Sequence, residues 1–392
     1  MPTTTDSPRT SQLFSRPSVD EPPSDPRQVV KDVLRTELEP EAKDVVSFIS
    51  PMDMHLHFRT GPMMHLVAPF TAEQFSGAVV MPNVMDENGH PVLVTPGAIL
   101  EYSEKIQEVT GPRFAPYMTA FFHPNGYAYD ELLSLRDDAG VLGIKYYPRG
   151  LTTNSDHGLS NPFSDEVIKT LKSMADLNMI LMVHPESDGF VMNREEEFVM
   201  RVLSRWHREI PDLRIVVEHV TTMSAYRFVI NAGPTVSATI TVHHLAMTLD
   251  DLIGGSMQPH NFCKPVAKTP EDRQWLQRAA FDGNPKFCLG TDSAPHPRSK
   301  KECCGCAAGC FTAPIALQFL TQLFDQNNIP FENLERFVSL NAKDIYGIEP
   351  IPRRISLIRQ PYEVPATITS SFDEVTVVPW LAGKTLDWTL RR

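Results

Sequence analysis

Short apolar runs alternate with longer amphipathic segments along most of this chain. Eight runs, rich in β-branched and other apolar residues, have the length and composition of buried strands. They lie at residues 46–54, 77–81, 114–121, 141–147, 179–183, 213–217, 235–242 and 286–289. Most of the segments between them, such as 165–178 and 195–209, carry apolar residues at helical spacing. The pattern predicts strands that alternate with helices.

This alternation is typical of parallel strands joined by crossover helices. Eight strand–helix units in about 250 residues favour a (β/α)8 TIM-type barrel, which is an α/β fold, over an open doubly wound sheet. No G-x-G-x-x-G sequence follows the first run, which weakens the dinucleotide-binding alternative. Beyond residue 310 we expect helices at 313–326 and 331–339, followed by irregular chain as a C-terminal extension.

The first 44 residues differ in composition from the predicted barrel domain, residues 45–392. Residues 1–26 are rich in Pro, Ser and Thr, so they bury too little apolar surface to offset their ordering entropy. We therefore expect a disordered tail there, followed by a short helix over 27–43. Acidic residues within the tail argue against a transit peptide.

The charge balance limits the kinds of partner that the chain is expected to bind. The chain has 36 Lys and Arg against 48 Asp and Glu, a net charge of −12. Nucleic-acid and anionic-membrane binders need clustered positive surface, so neither partner is expected. No apolar run reaches the roughly 18 residues of a membrane span. Six cysteines in 392 residues are too few for a disulfide framework, which favours a cytoplasmic protein.

Residue types that bind metals stand at the ends of the predicted strands. His55 and His57 lie two residues apart at the end of the first run, so a strand would place them on one face. Four later runs end in further candidates, which are Lys145, His184, His219 and Asp292. A barrel gathers these strand ends at its C-terminal mouth, where such folds place their active sites. Four His and an Asp suit one or two zinc ions.

Lys145 is the exception among these candidates, because an ammonium repels a metal ion. It either clamps an anionic substrate near the rim or reacts with CO2 to form an anionic carbamate that bridges two metals. Composition leaves both interpretations open.

The tightly spaced Cys303, Cys304, Cys306 and Cys310 do not match the paired C-x2-C pattern of a structural zinc site. For them we expect a Gly-rich loop that borders the active site.

Taken together, these motifs resemble the dihydroorotase family of the amidohydrolase superfamily, in its shorter monofunctional bacterial and fungal form. The motifs are DMHLHFR at 53–59, KYYP at 145–148, EHVTT at 218–222 and LGTDSAPH at 289–296. The resemblance extends from about residue 46 to the C-terminus. Two features depart from it: Pro185 follows His184 where the family usually has Gly, and the 44-residue N-terminal extension is additional.

The resemblance implies a role for each candidate residue. His55 and His57 would bind one zinc with Asp292, His184 and His219 would bind a second, and a carboxylated Lys145 would bridge them. Asp292 would also be the general base and acid. The residues expected to contact substrate are His57, Arg59, Asn83, His184 and His296, with backbone groups of Leu245 and Ala308. Thr152 and Thr153 would belong to a mobile loop that closes over the substrate.

The implied activity is reversible, zinc-dependent cyclisation of N-carbamoyl-L-aspartate to L-dihydroorotate, the third step of pyrimidine synthesis, by a homodimer. Two alternatives stay open at this point. Another cyclic amidohydrolase, such as dihydropyrimidinase or allantoinase, would handle its substrate without the carboxylate contacts of Arg59 and Asn83. A catalytically inactive barrel that acts as a scaffold would be expected to have lost ligand residues, whereas all six candidates are present.

Overall fold

The computed structural model describes residues 44–370 and 375–391, so the predicted tail and the helix over 27–43 lie outside the described residues. The strands in chain order are β1 Val45–Ile49, β2 Met52–Leu56, β3 Gly77–Val80, β4 Ala115–Phe121, β5 Gly143–Tyr146, β6 Ile180–Val183, β7 Arg214–Val217, β8 Val236–Ile240, β9 Phe287–Leu289, β10 Arg354–Glu363, β11 Ile368–Thr369, β12 Thr376–Val377 and β13 Thr385–Leu390. Strands β2 to β9 pair in parallel, each with the next in the chain. The predicted α/β fold with eight parallel strands is confirmed.

The sheet closes into a barrel through the chain that follows β9. Ser293 forms a parallel bridge with Leu56 at the end of β2. The His57 N–H donates to the Ser293 carbonyl at 3.0 Å, and the Asp292 N–H donates to the His55 carbonyl at 2.8 Å. These bonds join the last strand to the first, so the barrel has no exposed edge at this end.

Helices connect the barrel strands and cover the outside of the sheet. The α-helices are α1 Gly61–Gln74, α2 Pro96–Thr110, α3 Tyr129–Asp137, α4 Asp165–Asp176, α5 Arg194–Phe198, α6 Ser204–Glu209, α7 Met223–Asn231, α8 Asp250–Ile253, α9 Pro270–Phe281, α10 Arg298–Lys301, α11 Ala316–Gln326, α12 Phe331–Glu335 and α13 Asn341–Tyr346. Short 3-10 turns lie at Pro259–Asn261 and Ala313–Ile315, and π-helical turns at Val199–Leu203 and Arg336–Leu340. None of these helices is long and apolar enough to cross a membrane.

The first predicted run, 46–54, is wrong as a single strand, because it contains two strands that belong to different sheets. Ser50 adopts a left-handed φ of 48°, and Pro51 follows it, so the strand cannot continue. Strand β1 pairs antiparallel with β10, which in turn pairs with β13. The prediction of an irregular C-terminal extension is also wrong, because β10 and β13 form a three-stranded sheet with β1.

The inward and outward faces of β2 exchange partway along the strand. Met52 and Met54 pack in the cluster that fills the barrel, whereas Leu56 and Phe58 pack in the cluster between the sheet and the helices. The pairing of β2 with β3 shifts register between Asp53 and Leu56. Since side chains alternate along a strand, such a shift moves the following residues to the other face. His55 and His57 are thereby directed to the mouth of the barrel.

Candidate active site

The metal-ligand candidates meet at the C-terminal mouth of the barrel. His55 ends β2 and His57 follows it, Lys145 lies in β5, and the other three directly follow or lie just beyond β6, β7 and β9. The ring centroid of His55 lies 5.5 Å from that of His57 and 4.9 Å from that of His219. The rings of His184 and His219 are 4.8 Å apart. Residues up to 237 positions apart in the chain therefore form one buried cluster.

Asp292 lies between the two histidines of the first strand. Its Oδ1 is 3.1 Å from His57 Nε2 and 3.5 Å from His55 Nε2. Burial alone would raise the pKa of Asp292, but the contact with His57 and the charges of both histidines hold that pKa well below its usual value. Asp292 is therefore a carboxylate over the whole physiological pH range.

In both of these histidines the second ring nitrogen, Nδ1, already forms a hydrogen bond. His57 Nδ1 donates to Asn83 Oδ1 at 2.7 Å, and His55 Nδ1 donates to Glu218 Oε2 at 2.7 Å. Burial lowers the pKa of His57 to about 4, so its ring is neutral and Nε2 carries a lone pair. The lone pair on His57 Nε2 then faces the Asp292 carboxylate, an arrangement that a cation between them stabilises. This donor set fits a divalent metal ion.

The second group of ligand candidates contains buried polar atoms without partners. Lys145 is fully buried, and neither its Nζ nor Nδ1 of His219 has a hydrogen-bond partner. Burial lowers the pKa of Lys145 to about 8 and holds the pKa of His219 well below its usual value. His184 Nε2 donates to Glu186 at 2.8 Å, so its Nδ1 is free to bind. Neutral imidazole nitrogen atoms without partners are what a second metal site requires, and the lowered pKa of Lys145 makes its amine easier to deprotonate.

Glu218 is a functional candidate that the sequence analysis did not single out. It is completely buried, and its Oε2 accepts from His55 Nδ1 at 2.7 Å and from Thr239 Oγ1 at 2.6 Å. A carboxylate that accepts from a ligating histidine fixes the ring orientation and the tautomer. Its position directly before His219 in the EHVTT motif was the available signal, but that signal does not indicate contact with His55.

Backbone geometry at the mouth is unusual at three of the candidate residues. Arg59, His219 and Asp292 adopt φ values of 64°, 38° and 45°, in the left-handed region that favours glycine. Hydrogen bonds hold them there: the His219 N–H donates to Thr239 Oγ1 at 2.7 Å, and the Asp292 N–H donates to the His55 carbonyl. Such conformations concentrate at functional sites, where surrounding structure imposes the direction of the side chain.

Two further buried carboxylates fix the chain that follows β7 and β9. Glu195 accepts hydrogen bonds from the backbone and hydroxyl groups of Thr221 and Thr222, directly after His219. Asp53 accepts from the Thr291 N–H at 2.8 Å and from its hydroxyl at 2.6 Å, directly before Asp292. Burial raises the pKa of Asp53 to about 7. Both contacts restrict the loops that carry the candidate ligands.

Arg59 and His296 form a pair at the edge of the cluster. Arg59 Nε donates to the Pro295 carbonyl at 3.0 Å, and its Nη2 lies 3.1 Å from His296 Nε2. That nitrogen also lies 3.0 Å from the Ala308 carbonyl. Burial lowers the pKa of His296 to about 3, and Arg59 is always a donor, so Nε2 accepts from Arg59. The Ala308 carbonyl accepts from Thr153 Oγ1 at 3.5 Å and keeps a second lone pair at the cavity.

A narrow cavity opens beside the cluster and brings together most of the predicted substrate contacts. Its lining residues are His55, His57, Arg59, Asn83, Tyr147, Thr152, Thr153, His184, His219, Lys264, Asp292, Ala294, Ala308 and Gly309. Leu245 is not among them. Its N–H donates to the Thr241 carbonyl at 3.3 Å, and its own carbonyl accepts from Gln277 at 2.8 Å. His296 is not among the lining residues either, and the substrate contacts of Leu245 and His296 stay predictions. Lys264, which no strand-end pattern indicates, lines the cavity.

The predicted mobile loop lies against this cavity. The Thr153 carbonyl accepts from Asn83 Nδ2 at 3.3 Å, and its hydroxyl is 3.5 Å from the Ala308 carbonyl. The Thr152 N–H donates to Ser155 Oγ at 3.0 Å. The loop thus contacts two of the predicted substrate-binding residues.

The cysteine cluster of the sequence is dispersed in the structure. Cys303 and Cys304 are exposed, Cys306 is half-buried, and Cys310 is buried. Cys306 lines an apolar groove that it shares with Thr152 and Thr153 of the loop. These contacts agree with a loop that borders the active site.

Comparison with known proteins identifies dihydroorotases at 32–40% identity over most of the chain. The chain is 40% identical over 349 residues to the dihydroorotase of Aromatoleum aromaticum, covering 88% of this chain and 98% of that protein. The dihydroorotase structure from Campylobacter jejuni matches with a TM-score of 0.80 and 38% identity, covering 91% of this chain and 100% of that one. The dihydroorotase from Saccharomyces cerevisiae, in complex with 5-fluoroorotic acid, matches with a TM-score of 0.81 and 32% identity over 89% of this chain and 98% of that one. No protein-family model matches the chain.

Proposed function

The chain belongs to the dihydroorotase family and is a cyclic amide hydrolase; on this premise we propose that it interconverts N-carbamoyl-L-aspartate and L-dihydroorotate in pyrimidine synthesis. The observation that carries the proposal is the single buried cluster in which Asp292 faces the free nitrogens of His55 and His57 beside the Arg59 guanidinium. The alternative dihydropyrimidinase is not favoured, because its similarity, at 14% identity, extends to the fold alone.

We propose that the metal centre holds two zinc ions. His55, His57 and Asp292 supply one set of donors, and His184 with His219 supplies the other. Lys145, as its carbamate, joins the two sets, which accounts for a buried Nζ without a partner. Bound zinc would supply Lewis acidity and would lower the pKa of water, so that hydroxide is available at neutral pH.

Asp292 is proposed to move the proton of the reaction. During ring opening its carboxylate accepts the proton of the attacking water and delivers it to the leaving amide nitrogen, and during cyclisation the proton moves the opposite way. A pKa held well below its usual value keeps Asp292 ionised and able to accept. Its backbone bond to His55 keeps the carboxylate directed at the cluster.

The substrate carboxylate is proposed to bind Arg59. A guanidinium offers a planar pair of donors that matches a carboxylate, and His296 and Asn83 lie beside it. Backbone groups of Ala308 would contact the ring amide, since its carbonyl keeps a second lone pair at the cavity. Thr152 and Thr153 would close over the bound substrate and exclude water.

We also propose that the protein is a cytoplasmic homodimer, as the family implies, and that residues 1–44, which the family pattern lacks, are separate from the barrel domain, as their composition suggests. These features do not alter the chemistry of the cluster. The acidic net charge of −12 gives no reason to expect a nucleic-acid partner.

One experiment separates the proposal from its alternatives. Metal analysis of purified protein is combined with steady-state assays on L-dihydroorotate, dihydrouracil and allantoin. We expect at least two zinc ions per chain, two of them at the catalytic centre, and turnover of dihydroorotate alone. Turnover of dihydrouracil or allantoin in its place would assign another cyclic amidohydrolase, and metal-loaded protein without turnover of any substrate would assign an inactive scaffold.

A further inference from the structure

A second group of metal-binding side chains lies behind the wall of the cavity. His243, Cys263 and Cys310 are all buried, and their ligand atoms lie within 4.8 Å of one another. His243 follows β8, whereas Cys263 and Cys310 come from two loops further along the chain. No residue of this group belongs to the cluster around Asp292, whose candidate donors are nitrogen and oxygen atoms.

His243 is the member without other partners. Both of its ring nitrogens are buried and have no hydrogen bond. The neighbouring His244 differs, since its Nδ1 pairs with Thr241 Oγ1 at 2.9 Å and its Nε2 with the Pro265 carbonyl at 3.0 Å. A buried imidazole with no partner is unfavourable, and a bound ion is one of the few ways to satisfy it. His244 Nε2 also lies 3.5 Å from Cys263 Sγ, but the Pro265 carbonyl requires a proton on that nitrogen, so a lone pair toward the sulfur atoms comes from His243.

We propose that His243, Cys263 and Cys310 bind a zinc ion as a structural site, separate from the catalytic centre. Two thiolates and one neutral imidazole balance the two charges of the ion, so the complete site is neutral and compatible with burial. Tetrahedral zinc with bonds of about 2.3 Å to sulfur separates its ligand atoms by about 3.8 Å. The three ligand atoms, which lie within 4.8 Å of one another, would therefore have to approach by about 1 Å at most to bind zinc. The fourth tetrahedral position would be left for another ligand.

A buried lysine lies beside the two thiols, and its charge opposes the effect of burial by favouring the thiolate form that a metal requires. Lys301 is buried, and its Nζ donates to the carbonyls of Phe262 at 3.0 Å and Gly309 at 2.8 Å, each next to one of the cysteines. Its ammonium lies close enough to interact electrostatically with both sulfur atoms. Without metal, the Cys310 thiol and burial raise the pKa of the Cys263 thiol, so metal binding must release its proton.

The position of the group indicates what the ion would do. Cys263 directly precedes Lys264, and Cys310 directly follows Gly309, and both of those residues line the catalytic cavity. An ion bound to both sulfurs and to His243 would join three chain segments that the barrel sheet does not hold together. The ion would hold the cavity-lining residues Lys264, Ala308 and Gly309 in place without contacting substrate.

Cobalt substitution distinguishes the two centres in the full-length protein, because only this site has sulfur ligands. Metal-free, reduced protein is titrated with Co2+, and the sulfur-to-cobalt charge-transfer band in the near ultraviolet is followed together with the visible bands of the catalytic cobalt. We expect one sulfur-bound cobalt per chain, loss of its band in Cys263→Ser and Cys310→Ser, and weaker binding in His243→Gln. The matched control replaces the three exposed or half-buried thiols (Cys303→Ser, Cys304→Ser, Cys306→Ser) and should retain the band.

Visible bands of the catalytic cobalt show that each variant is folded, and His243→Gln serves if a cysteine variant is not. The proposal is overturned if the native protein shows no sulfur band at saturating cobalt, or if the band persists in Cys263→Ser. Loss of the band in the exposed-thiol control would assign the cobalt to surface cysteines instead. A Cys263–Cys310 disulfide in peptide mass spectra of protein isolated without reductant would equally exclude a metal at this site.

Discussion

Replacing Lys145 with methionine should stabilise the metal-free protein while removing most of its activity. Lys145 is fully buried, and its Nζ has no hydrogen-bond partner. Burial lowers its pKa from 10.5 to about 8. At about 1.4 kcal/mol per pKa unit, the buried ammonium destabilises the folded metal-free chain by about 3 kcal/mol at pH 7. Methionine has a similar length and no charge, so it removes this term without leaving a large cavity.

The pH dependence has a defined sign. Because the folded-state pKa of Lys145 is lowered, the folded chain binds this proton more weakly than the unfolded chain does. The destabilisation is fully present below pH 8 and disappears as the pH rises toward 10.5. The advantage of the Lys145→Met variant should therefore fall from about 3 kcal/mol at pH 7 to about 2 kcal/mol at pH 9.

Thermal and denaturant unfolding of chelator-treated, CO2-depleted protein at both pH values measures the effect. With an unfolding entropy of roughly 2.1 cal/mol/K per residue, about 3 kcal/mol corresponds to a rise of about 4 °C in Tm at pH 7. The matched control is Lys286→Met, since Lys286 Nζ donates to the carbonyls of Val229 and Gly233 at 2.7 and 2.8 Å. That variant should be destabilised, because it leaves carbonyls without their donor.

The zinc-loaded proteins should show the opposite order. Lys145→Met cannot form a carbamate, so it should lose metal and most turnover, and a short carboxylic acid in solution should partly restore both. A lower Tm for the metal-free variant, or an advantage that does not change between pH 7 and pH 9, would refute the reasoning about the buried ammonium. Near-normal metal content and turnover would refute the bridging role.

Four other perturbations test the site and the tail. Glu218→Gln should weaken zinc binding about 10- to 100-fold in a chelator competition, because the carboxylate that orients His55 is lost; unchanged affinity would exclude this role. At matched zinc content, Asp292→Asn should lower kcat by about 10²–10⁴, whereas Arg59→Ala should raise KM by an amount equivalent to about 2–5 kcal/mol; an unchanged KM for dihydroorotate would contradict the carboxylate assignment. Deleting residues 1–26 should leave turnover and Tm almost unchanged, and a large loss of either would show that the tail docks on the domain.

The number and order of the barrel strands could be predicted from the sequence because they depend on local pattern. A buried parallel strand needs a short, unbroken apolar run, and β5 and β7 lie within the predicted runs 141–147 and 213–217. The same logic identified residues at strand ends as site candidates, since parallel strands in a barrel end at one mouth. The fold and the enzyme family are confirmed, and the individual residue roles stay predictions.

Pairing between distant parts of the chain could not be predicted from local hydrophobic pattern. The run 46–54 is continuous in hydrophobicity, yet the left-handed Ser50 divides it, and β1 pairs with a strand more than 300 residues later. The register shift in β2 that directs His55 and His57 to the mouth is likewise set by pairing with β3. A one-residue change of face leaves no mark in hydrophobic periodicity, because both faces of a barrel strand are buried.

The candidate binding residues could thus be identified largely from the sequence, whereas their surroundings are decided only by tertiary structure. Glu218 accepts from His55 across 163 positions, and His243, Cys263 and Cys310 meet although no spacing rule joins them. The hydrogen bond between the Leu245 carbonyl and Gln277 is likewise not visible in the sequence. A buried polar group is satisfied by whichever distant atom packing brings within about 3 Å, and local sequence pattern does not determine that distance.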